Sequence, residues 1–403
     1  MRKVVILLVI LCIFFTVRGE NKANSGWKDG ILFHRSSDHA FMMKLDIRIY
    51  LDYTKYFEED DYLCDGSNLR KARFAVKSQL WGNWEAEFDL DVAENMVEIK
   101  DMWAAYSGLP HFKFKLGHYK VPFSLEELTS SRCITFMERA YPNIFAPGRK
   151  MAAGLIYWNK YGALSTAIHG QSVDDNQNLE EDEGYGYAGR LTLVPIINDD
   201  LTIHLGAGYS WQKPDDSSGI FELKTEPEAK QGNTEFLDTS EIKNVENVAV
   251  MGVETVIDWR SLHLQGEYII NNVDREIDHD DYQFKGGYAY LSWLITGEHR
   301  PYTISDGEFG KIIPINKYGA FELAFRYSHL DLSDYNVDQK FYDGIQGGLS
   351  NSYTGGLAWY FNPNIKLLIN YNYVDNSYFA DGDSDYPADY DFSVLQTRLL
   401  VQF

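Results

Sequence analysis

The stretch DFSVLQTRLLVQF, residues 391–403, alternates like a β-strand and ends on an aromatic residue. One parity is largely apolar and consists of Leu395, Thr397, Leu399, Val401 and Phe403. The other parity is largely polar and consists of Gln396, Arg398, Leu400 and Gln402. Because alternate side chains of a strand point to opposite faces, one face suits lipid and the other a water-filled lumen. The stretch therefore predicts the last strand of an outer-membrane barrel.

The same period of two recurs along most of the chain, between clusters of turn residues. It predicts strands at 40–53, 67–80, 84–92, 97–106, 111–119, 152–158, 162–170, 185–194, 201–211, 247–258, 261–270, 282–295, 317–330, 351–361, 364–373 and 390–403. Short connections alternate with long ones, except that 93–96 is short on the long side and 296–316 is long on the short side. Transmembrane barrels have this asymmetry, whereas a secreted sandwich or lectin has no reason to enforce it. We therefore predict an all-β fold, a transmembrane antiparallel β-barrel of about 16 strands.

The first nineteen residues have the pattern of a secretory signal peptide. Arg2 and Lys3 precede an apolar run at 4–15, and a small residue, Gly19, ends the segment. After this run no stretch of about 18 apolar residues predicts a transmembrane helix. We expect a signal peptide at 1–19, an N-terminal periplasmic segment at 20–39 and the barrel at 40–403, located in the outer membrane after export.

The charge of the chain limits its partners. Loss of Arg2, Lys3 and Arg18 with the signal peptide leaves 34 basic and 59 acidic residues, a formal charge of −25. This charge argues against nucleic acid as a partner. Acidic residues concentrate in the predicted long loops, at 58–61, 174–175, 180–183 and 381–385. We interpret these as solvated loops, with divalent-cation bridging to lipid headgroups as the alternative.

Sequence motifs give little support for catalysis. Cys64 and Cys133 are the cysteines that follow the signal peptide; they are free to pair, but no cysteine or histidine spacing predicts a metal site. The chain contains no GxSxG, HExxH or GxxxxGK[ST] motif. We therefore expect no enzymatic activity, no cofactor and no metal. Scattered histidines and loop acids keep a hydrolytic barrel open as an alternative.

Charged side chains occupy one parity of several predicted strands. In 67–80 this parity includes Lys71, Arg73, Lys77 and Gln79, and in 84–92 it consists of Glu85, Glu87, Asp89 and Asp91. A charge on the lipid face near the bilayer midplane costs about 2–4 kcal/mol, so both rows are expected to point inward. Further inward basic positions are Lys113, Lys115, Arg190, Arg326 and Arg398. A barrel of about 16 strands with such a lining is predicted to enclose a water-filled channel.

Several sequence blocks, taken in order, resemble one protein family. The blocks are LRKARFAVKSQLWGNWEAEFDLD (69–91), IKDMWAAYSGLPHFKFKLGHYKVPFSLEELTSSR (99–132), FMER (136–139), APGR (146–149), YLSWLITGEHRPY (290–302), GAFELAFRYS (319–328) and GLAWYFNPNIKLLINYNYV (356–374). The set resembles the phosphate-selective porin O and P family of Gram-negative outer membranes, from about residue 30 to the end. The resemblance implies a 16-stranded, usually trimeric channel whose third loop folds into the lumen and narrows it. It also implies that inward arginines and lysines guide anions.

The resemblance further implies individual site residues. The paired basic residues of the second strand correspond to Arg70 and Lys71, and the basic residue after the Thr-Ser-Ser motif corresponds to Arg132. Where phosphate-selective members carry lysine, this chain has Glu85 and Glu127, and where they carry aspartate it has Lys100. The full set of pore-lining or anion-binding candidates is Arg70, Lys71, Arg73, Lys100, Lys113, Lys115, Lys120, Ser130, Ser131, Arg132, Arg139, Arg149, Arg190 and Arg326.

The predicted function is passive diffusion of small solutes through a charged lumen narrowed by the loop at 120–151. Anions such as phosphate are the expected solutes, and outer-membrane lipid and two further copies of the chain are the expected partners, the trimer by resemblance alone. Glu85 and Glu127 oppose anions, so a weakly selective or cation-preferring channel is the first alternative. A non-conducting structural or enzymatic barrel is the second.

Overall fold

The computed structural model describes residues 24–28, 31–58, 63–93, 96–173, 183–214, 219–231, 235–334, 344–376 and 390–403. The predicted signal peptide at 1–19 lies outside these ranges, as do the acidic loop stretches at 59–61, 174–175, 180–182 and 381–385. The described residues include an α-helical turn at Leu125–Leu128 and a 3-10 turn at Tyr141–Phe145. None of their helices is long and apolar enough to cross a membrane. Cys64 and Cys133 are both free.

Strands make up most of the described chain. They are β1 (Asn24–Lys28), β2 (Ile31–Arg35), β3 (Phe41–Tyr56), β4 (Gly66–Leu80), β5 (Trp84–Asp91), β6 (Glu98–Leu109), β7 (Phe112–Lys120), β8 (Arg149–Asn159), β9 (Gly162–His169), β10 (Tyr185–Ile197), β11 (Leu201–Lys213), β12 (Lys224–Thr225), β13 (Leu237–Asp238), β14 (Val245–Trp259), β15 (Leu262–Arg275), β16 (Tyr282–Leu294), β17 (Tyr302–Thr303), β18 (Glu308–Phe309), β19 (Ala320–Asp334), β20 (Ile345–Asn362), β21 (Ile365–Asn376) and β22 (Phe392–Gln402).

Strands β3–β11, β14–β16 and β19–β22 form a closed antiparallel barrel of sixteen strands. Strands that are consecutive in this series pair with each other, and the wall closes where β22 pairs with β3, from Val394↔Tyr56 to Gln402↔Arg48. The predicted fold class is confirmed. Several strands are longer than predicted; β20, for example, begins at Ile345, six residues before the expected start. The glycines and serines at its beginning have too little polarity contrast to show a period of two.

The segment predicted to precede the barrel contains a hairpin that the sequence pattern did not indicate. Strands β1 and β2 pair with each other, and β2 continues the sheet by pairing with the start of β3, from Leu32↔Leu45 to Arg35↔Met42. Because β4 occupies the other edge of β3, β2 lies on the edge that β22 uses further along. The hairpin therefore extends the wall at the end with the short turns.

The two faces of the wall strands differ in polarity as predicted. On β3, Leu51 and Tyr53 are 48% and 51% exposed on the outside, whereas Asp46 and Arg48 are 2% and 4% exposed on the inside. The outer face of the barrel is apolar, and the charged rows of β4 and β5 point into the lumen. This arrangement avoids the cost of placing charges in lipid.

One side of the lumen is filled by loops. Two long connections pack against the inner faces of β14–β16 and β19–β22. They are the third, 121–148, and the fifth, of which 219–231 and 235–244 are described. Their largest buried apolar contacts are Phe123, Tyr141, Leu223 and Phe236 from the loops and Phe284, Leu330, Val374 and Phe392 from the wall. The predicted water-filled lumen is thus confined to the other side. The sequence pattern did not indicate this packing, in which inward apolar residues of these strands meet apolar residues of the loops.

Candidate pore and its constriction

The open part of the lumen is a cavity of about 730 Å³ that lies mainly against β3–β9. The third loop forms its opposite wall through Pro122, Leu128, Ser130 and Ser131. The basic residues that line the cavity are Lys44, Arg48, Lys71, Arg73, Lys77, Lys113, Lys115, Lys120, Arg132, Arg139 and Arg149, and the acidic ones are Glu85, Glu87, Asp89, Asp101, Asp306 and Glu308. Eleven basic against six acidic side chains make the described lining positive, although the whole chain is strongly negative.

The third loop crosses the lumen because the opposite wall supplies acceptors for its backbone. At the start of the helical turn Leu125–Leu128, the Leu125 amide donates to Glu254 Oε2 at 2.8 Å and the Glu126 amide donates to Glu267 Oε1 at 2.6 Å. Ser124 caps the same turn by accepting from the Glu127 amide at 3.2 Å. The first amides of a helical turn have no internal partners. The two wall carboxylates therefore satisfy buried donors and hold the loop across the lumen.

A second anchor of the loop is the Glu138 carboxylate. It accepts hydrogen bonds from Arg70 Nε at 3.0 Å and Nη2 at 3.2 Å, and from Arg398 Nη2 at 2.5 Å. Burial raises the pKa of the Glu138 carboxyl, but the two guanidinium groups outweigh burial and hold this pKa well below its ordinary value. Glu138 is therefore ionised, and it joins the loop to strands on both sides of the barrel closure.

A β-bulge explains why two consecutive basic residues, Arg70 and Lys71, both lie on the lumen side of the wall. Tyr50 pairs with Lys71 and Leu51 pairs with Leu69, which leaves Arg70 as the extra residue. Arg70 is used by Glu138, whereas Lys71 lines the cavity, with its ammonium 5.4 Å from the centre of the Tyr50 ring. No ion pair involves Lys71 among the described residues. Its amine is thus available to a solute.

Glu127, which replaces a lysine of phosphate-selective relatives in the resemblance, is not exposed to the cavity. It forms ion pairs with Lys120 Nζ at 3.0 Å and with Arg139 Nε at 3.6 Å, and it accepts from Asn143 Nδ2 at 3.0 Å. Burial raises the pKa of its carboxyl, but these partners prevail and lower the pKa to about 2. Glu127 is therefore ionised, and its charge is balanced locally by two of the predicted anion-binding residues.

The residues after the helical turn bring a polar cluster to the cavity. Arg132 Nη2 lies 2.8 Å from Asp46 Oδ2, and its Nε donates to Ser130 Oγ at 3.3 Å. Ser131 Oγ lies 3.2 Å from the Tyr50 hydroxyl. Ser130, Ser131 and Arg132 all line the cavity, on the same side as Arg139. The loop thus presents two hydroxyls and two guanidinium groups to the open lumen.

The remaining strand candidates fall into two groups. Four of them line the cavity: Arg73, Lys113, Lys115 and Arg149. Three of these four form ion pairs, Arg73 with Asp89 at 3.5 Å, Lys113 with Glu85 at 2.9 Å and Arg149 with Asp101 at 2.7 Å. Three others lie outside the cavity lining: Lys100 pairs with Glu98, Arg190 with Glu254, and Arg326 with Glu228. Arg190 and Arg326 do point inward, but each holds a loop or turn segment in place.

The turn-side connection between β16 and β19 is a second element inside the lumen, and its role was missed. Arg190 holds it by donating from Nη1 to Asp306 O at 3.1 Å and from Nη2 to Gly307 O at 2.9 Å. This contact brings Ser305, Asp306 and Glu308 to the cavity lining. The signal in the sequence was its length, because a connection of more than twenty residues is unusual among the short turns of a barrel.

The model of a protein family, phosphate-selective porin O and P, matches residues 43–403. Among curated proteins, Porin O of Pseudomonas aeruginosa is 22% identical over an alignment of 398 positions, and the match covers 88% of this chain and 87% of that protein. An uncharacterised protein of Caulobacter vibrioides is 26% identical over an alignment of 381 positions, and the match covers 89% of this chain and 74% of that protein.

Solved structures support the fold alone, because their sequence identities are low. The anion-selective porin from Comamonas acidovorans has a TM-score of 0.53 at 14% identity and covers 90% of this chain and 100% of its own. OmpT, an outer-membrane protein of Vibrio cholerae described as a trimer form, has a TM-score of 0.54 at 9% identity with the same coverage.

Proposed function

Since this chain belongs to the phosphate-selective porin O and P family, we propose that it is a passive outer-membrane channel that prefers small anions, inorganic phosphate among them. The single observation that carries the preference is the positive lining of the cavity, with eleven basic and six acidic side chains. Ion selectivity in a pore follows the charges and hydrogen-bond donors at its narrow part. The surplus of basic residues there therefore favours anions, even though the chain as a whole is acidic.

The strongest candidate contact for an anion is the zone between Lys71 and the third loop. Lys71 has no ion-pair partner among the described residues, and the nearby charges that act on it are Arg70, the Glu138 carboxylate, Arg139 and Arg73. Ser130 and Ser131 add hydroxyl donors from the loop side. Ionised donors form short, strong hydrogen bonds to phosphate oxygens, so this zone suits an oxyanion that has shed part of its hydration shell. Further along the wall, Lys113, Lys115, Lys120, Arg132 and Arg149 provide successive basic positions.

Glu85 and Glu127 do not reverse this balance. Each carboxylate is engaged by a neighbouring base, Glu85 by Lys113 and Glu127 by Lys120 and Arg139. An ion pair inside a narrow lumen has a weak field at a distance, since the two charges cancel. The two acids therefore reduce the number of free cations without making the pore negative.

The test is the reversal potential of the purified protein in a planar bilayer under a KCl gradient, followed by addition of phosphate. A reversal potential on the chloride side, together with a block of chloride current by phosphate, is expected. A value near zero or on the potassium side, without block, would contradict anion preference and support the weakly selective alternative. Folded protein that does not conduct would speak for a structural barrel.

Export and assembly belong to the same proposal. A porin works in the outer membrane, so residues 1–19 are expected to be removed as a signal peptide; mass spectrometry of the mature N-terminus tests this. A homotrimer is supported by the related barrel described as a trimer form. Native mass spectrometry of the detergent-solubilised protein measures the oligomeric state directly, and a monomer would overturn the trimer.

A further inference from the structure

Two acidic residues of the cavity differ from the other four. The wall acids are all paired: Glu85 with Lys113, Glu87 with Lys77, Asp89 with Arg48 and Arg73, and Asp101 with Arg149. Asp306 and Glu308, from the turn-side segment, form no ion pair with any residue that the structure describes, and they line the same cavity. The open lumen therefore contains free carboxylates as well as free ammonium groups.

The backbone on both sides of Glu308 is firmly held. Arg190, which is hydrogen-bonded to Glu254 at 2.9 Å, donates to the carbonyl of Gly307. The backbone there is also tightly packed, because a Cβ at Gly307 would lie 2.9 Å from the Thr192 side chain. On the other side the Phe309 ring packs against His263 at 4.9 Å and Tyr302 at 4.8 Å between centroids. These contacts hold the backbone of Glu308 in place beside the cavity that its carboxylate lines.

Lys115 is a base without an ion pair among the described residues, and it lines the same cavity as this carboxylate. Its ammonium lies 4.1 Å from the Trp103 ring centre and 4.3 Å from the Tyr119 ring centre, so aromatic contacts rather than an acid position it. Lys115 and Glu308 line one cavity and influence each other's charge, yet they do not pair with each other directly. An amine and a carboxylate that line one open cavity without pairing with each other are complementary to a solute that carries both kinds of charge.

We propose that Lys115 and Glu308 form a dipolar site for small amino-bearing phosphates, in which the phosphate meets Lys115 and the ammonium of the solute meets Glu308. The proposal rests on the anion-channel function and narrows its substrate class. A solute with an ammonium three or four bonds from its phosphate gains a second charge-assisted contact that inorganic phosphate does not make. Such a solute also brings a smaller net charge into the lumen than a dianion does, because its ammonium partly cancels the charge of its phosphate.

The experiment compares block of KCl current by 2-aminoethyl phosphate and by ethyl phosphate, at about pH 7.5, where a carboxyl with a pKa of about 7 is mostly ionised. Ethyl phosphate carries the larger net negative charge, so basic residues alone predict that it blocks more strongly. The dipolar site predicts the reverse, with 2-aminoethyl phosphate blocking at a concentration about three- to tenfold lower. The Glu308→Gln variant should lose this preference, and Glu98→Gln, which changes an acid outside the cavity, should keep it.

Equal block by the two esters, or a preference for ethyl phosphate, would overturn the dipolar site, as would a Glu308→Gln channel that still prefers the amino ester. Each of these results leaves the anion channel standing if the reversal potential under a KCl gradient stays on the chloride side. Failure of the anion-channel function shows in that potential, and so the two failures are distinguishable. Conductance of the Glu308→Gln channel in KCl alone verifies that the variant has folded.

Discussion

Arg70 and Glu138 form a two-point contact, with Arg70 Nε 3.0 Å from Glu138 Oε1 and Arg70 Nη2 3.2 Å from Glu138 Oε2. The contact joins the bulge of β4 to the third loop, and Arg398 of β22 reaches the same carboxylate. One acidic side chain thus ties the constriction to both sides of the seam where the barrel closes. The position of the loop depends on this carboxylate being ionised.

Replacement of Glu138 by glutamine should loosen the constriction. The change leaves Arg70 and Arg398 inside the barrel beside a neutral amide, and breaking a buried charge pair costs about 3–5 kcal/mol. We expect a lower unfolding temperature, measured by heat-modifiable migration in gels, and noisier single-channel current. Glu98→Gln removes an acid from the wall outside the cavity and is the matched control. Quiet channels with wild-type thermal stability would contradict the anchoring role.

Lys71 should contribute directly to anion preference. A Lys71→Met change removes an unpaired cation from the cavity, so we expect the reversal potential under a KCl gradient to move toward the potassium side. Block by phosphate should weaken by about three- to tenfold, the range for loss of one charge-assisted contact. Lys285→Met alters a half-exposed lysine near Asp331, outside the cavity, and should leave both quantities unchanged. Phosphate block equal to that of the wild type would place the anion site elsewhere.

The strand order and the lumen-facing charges were predictable because the alternation of polar and apolar residues in the sequence marks both the strands and their two faces. Leu51 lies outside and Asp46 inside, as their parity indicates. The bulge at Arg70 was not predictable in this way, since a pattern of alternation does not reveal which residue is left unpaired. The resemblance, rather than the pattern, indicated that Arg70 and Lys71 both belong to the lumen.

Contacts between distant parts of the chain were the main features that the sequence did not reveal. Arg190 and Arg326 were correctly expected to point inward, but their partners, Gly307 and Glu228, lie 117 and 98 residues away. Such pairings depend on how loops cross the lumen, and alternation within a strand carries no information about this. For the same reason the sequence did not reveal that the folded loop pairs Glu127 with Lys120 and Arg139.

Removal of the Glu127 charge should strengthen anion preference. In Glu127→Gln, Lys120 and Arg139 keep their positive charges but lose the carboxylate that balances them. We expect the reversal potential to shift toward the chloride side and phosphate to block at a severalfold lower concentration. Because the amide retains the shape of the side chain and its contact with Asn143, the loop should stay in place. A shift toward the potassium side would mean that the ion pairs orient the two bases for anion binding.

Chloride preference should depend on pH through Glu308. Burial in the lumen raises the pKa of its carboxyl to about 7, while Arg190, Lys115 and Lys120 act against this rise and Asp306 adds to it. As the pH falls through about 7, Glu308 takes up a proton and the cavity loses one negative charge, so chloride preference should increase. Reversal potentials under a KCl gradient at several pH values measure the effect. In Glu308→Gln the dependence near this pH should flatten; an unchanged profile would assign it to another group.

The third loop should stay across the lumen only while wall carboxylates accept hydrogen bonds from the first amides of its helical turn. Glu267→Ala removes the acceptor of the Glu126 amide and one acceptor of the Leu125 amide, and an unsatisfied buried donor costs about 1–3 kcal/mol. The loop contains Arg132 and Arg139, which are trypsin sites protected while the loop stays inside the barrel. We expect trypsin to cut the folded variant there, detected by mass spectrometry, and to spare the wild type. Glu241→Ala alters an exposed acid of the fifth loop and is the control; resistance of Glu267→Ala would show that Glu254 and Glu138 suffice to hold the loop.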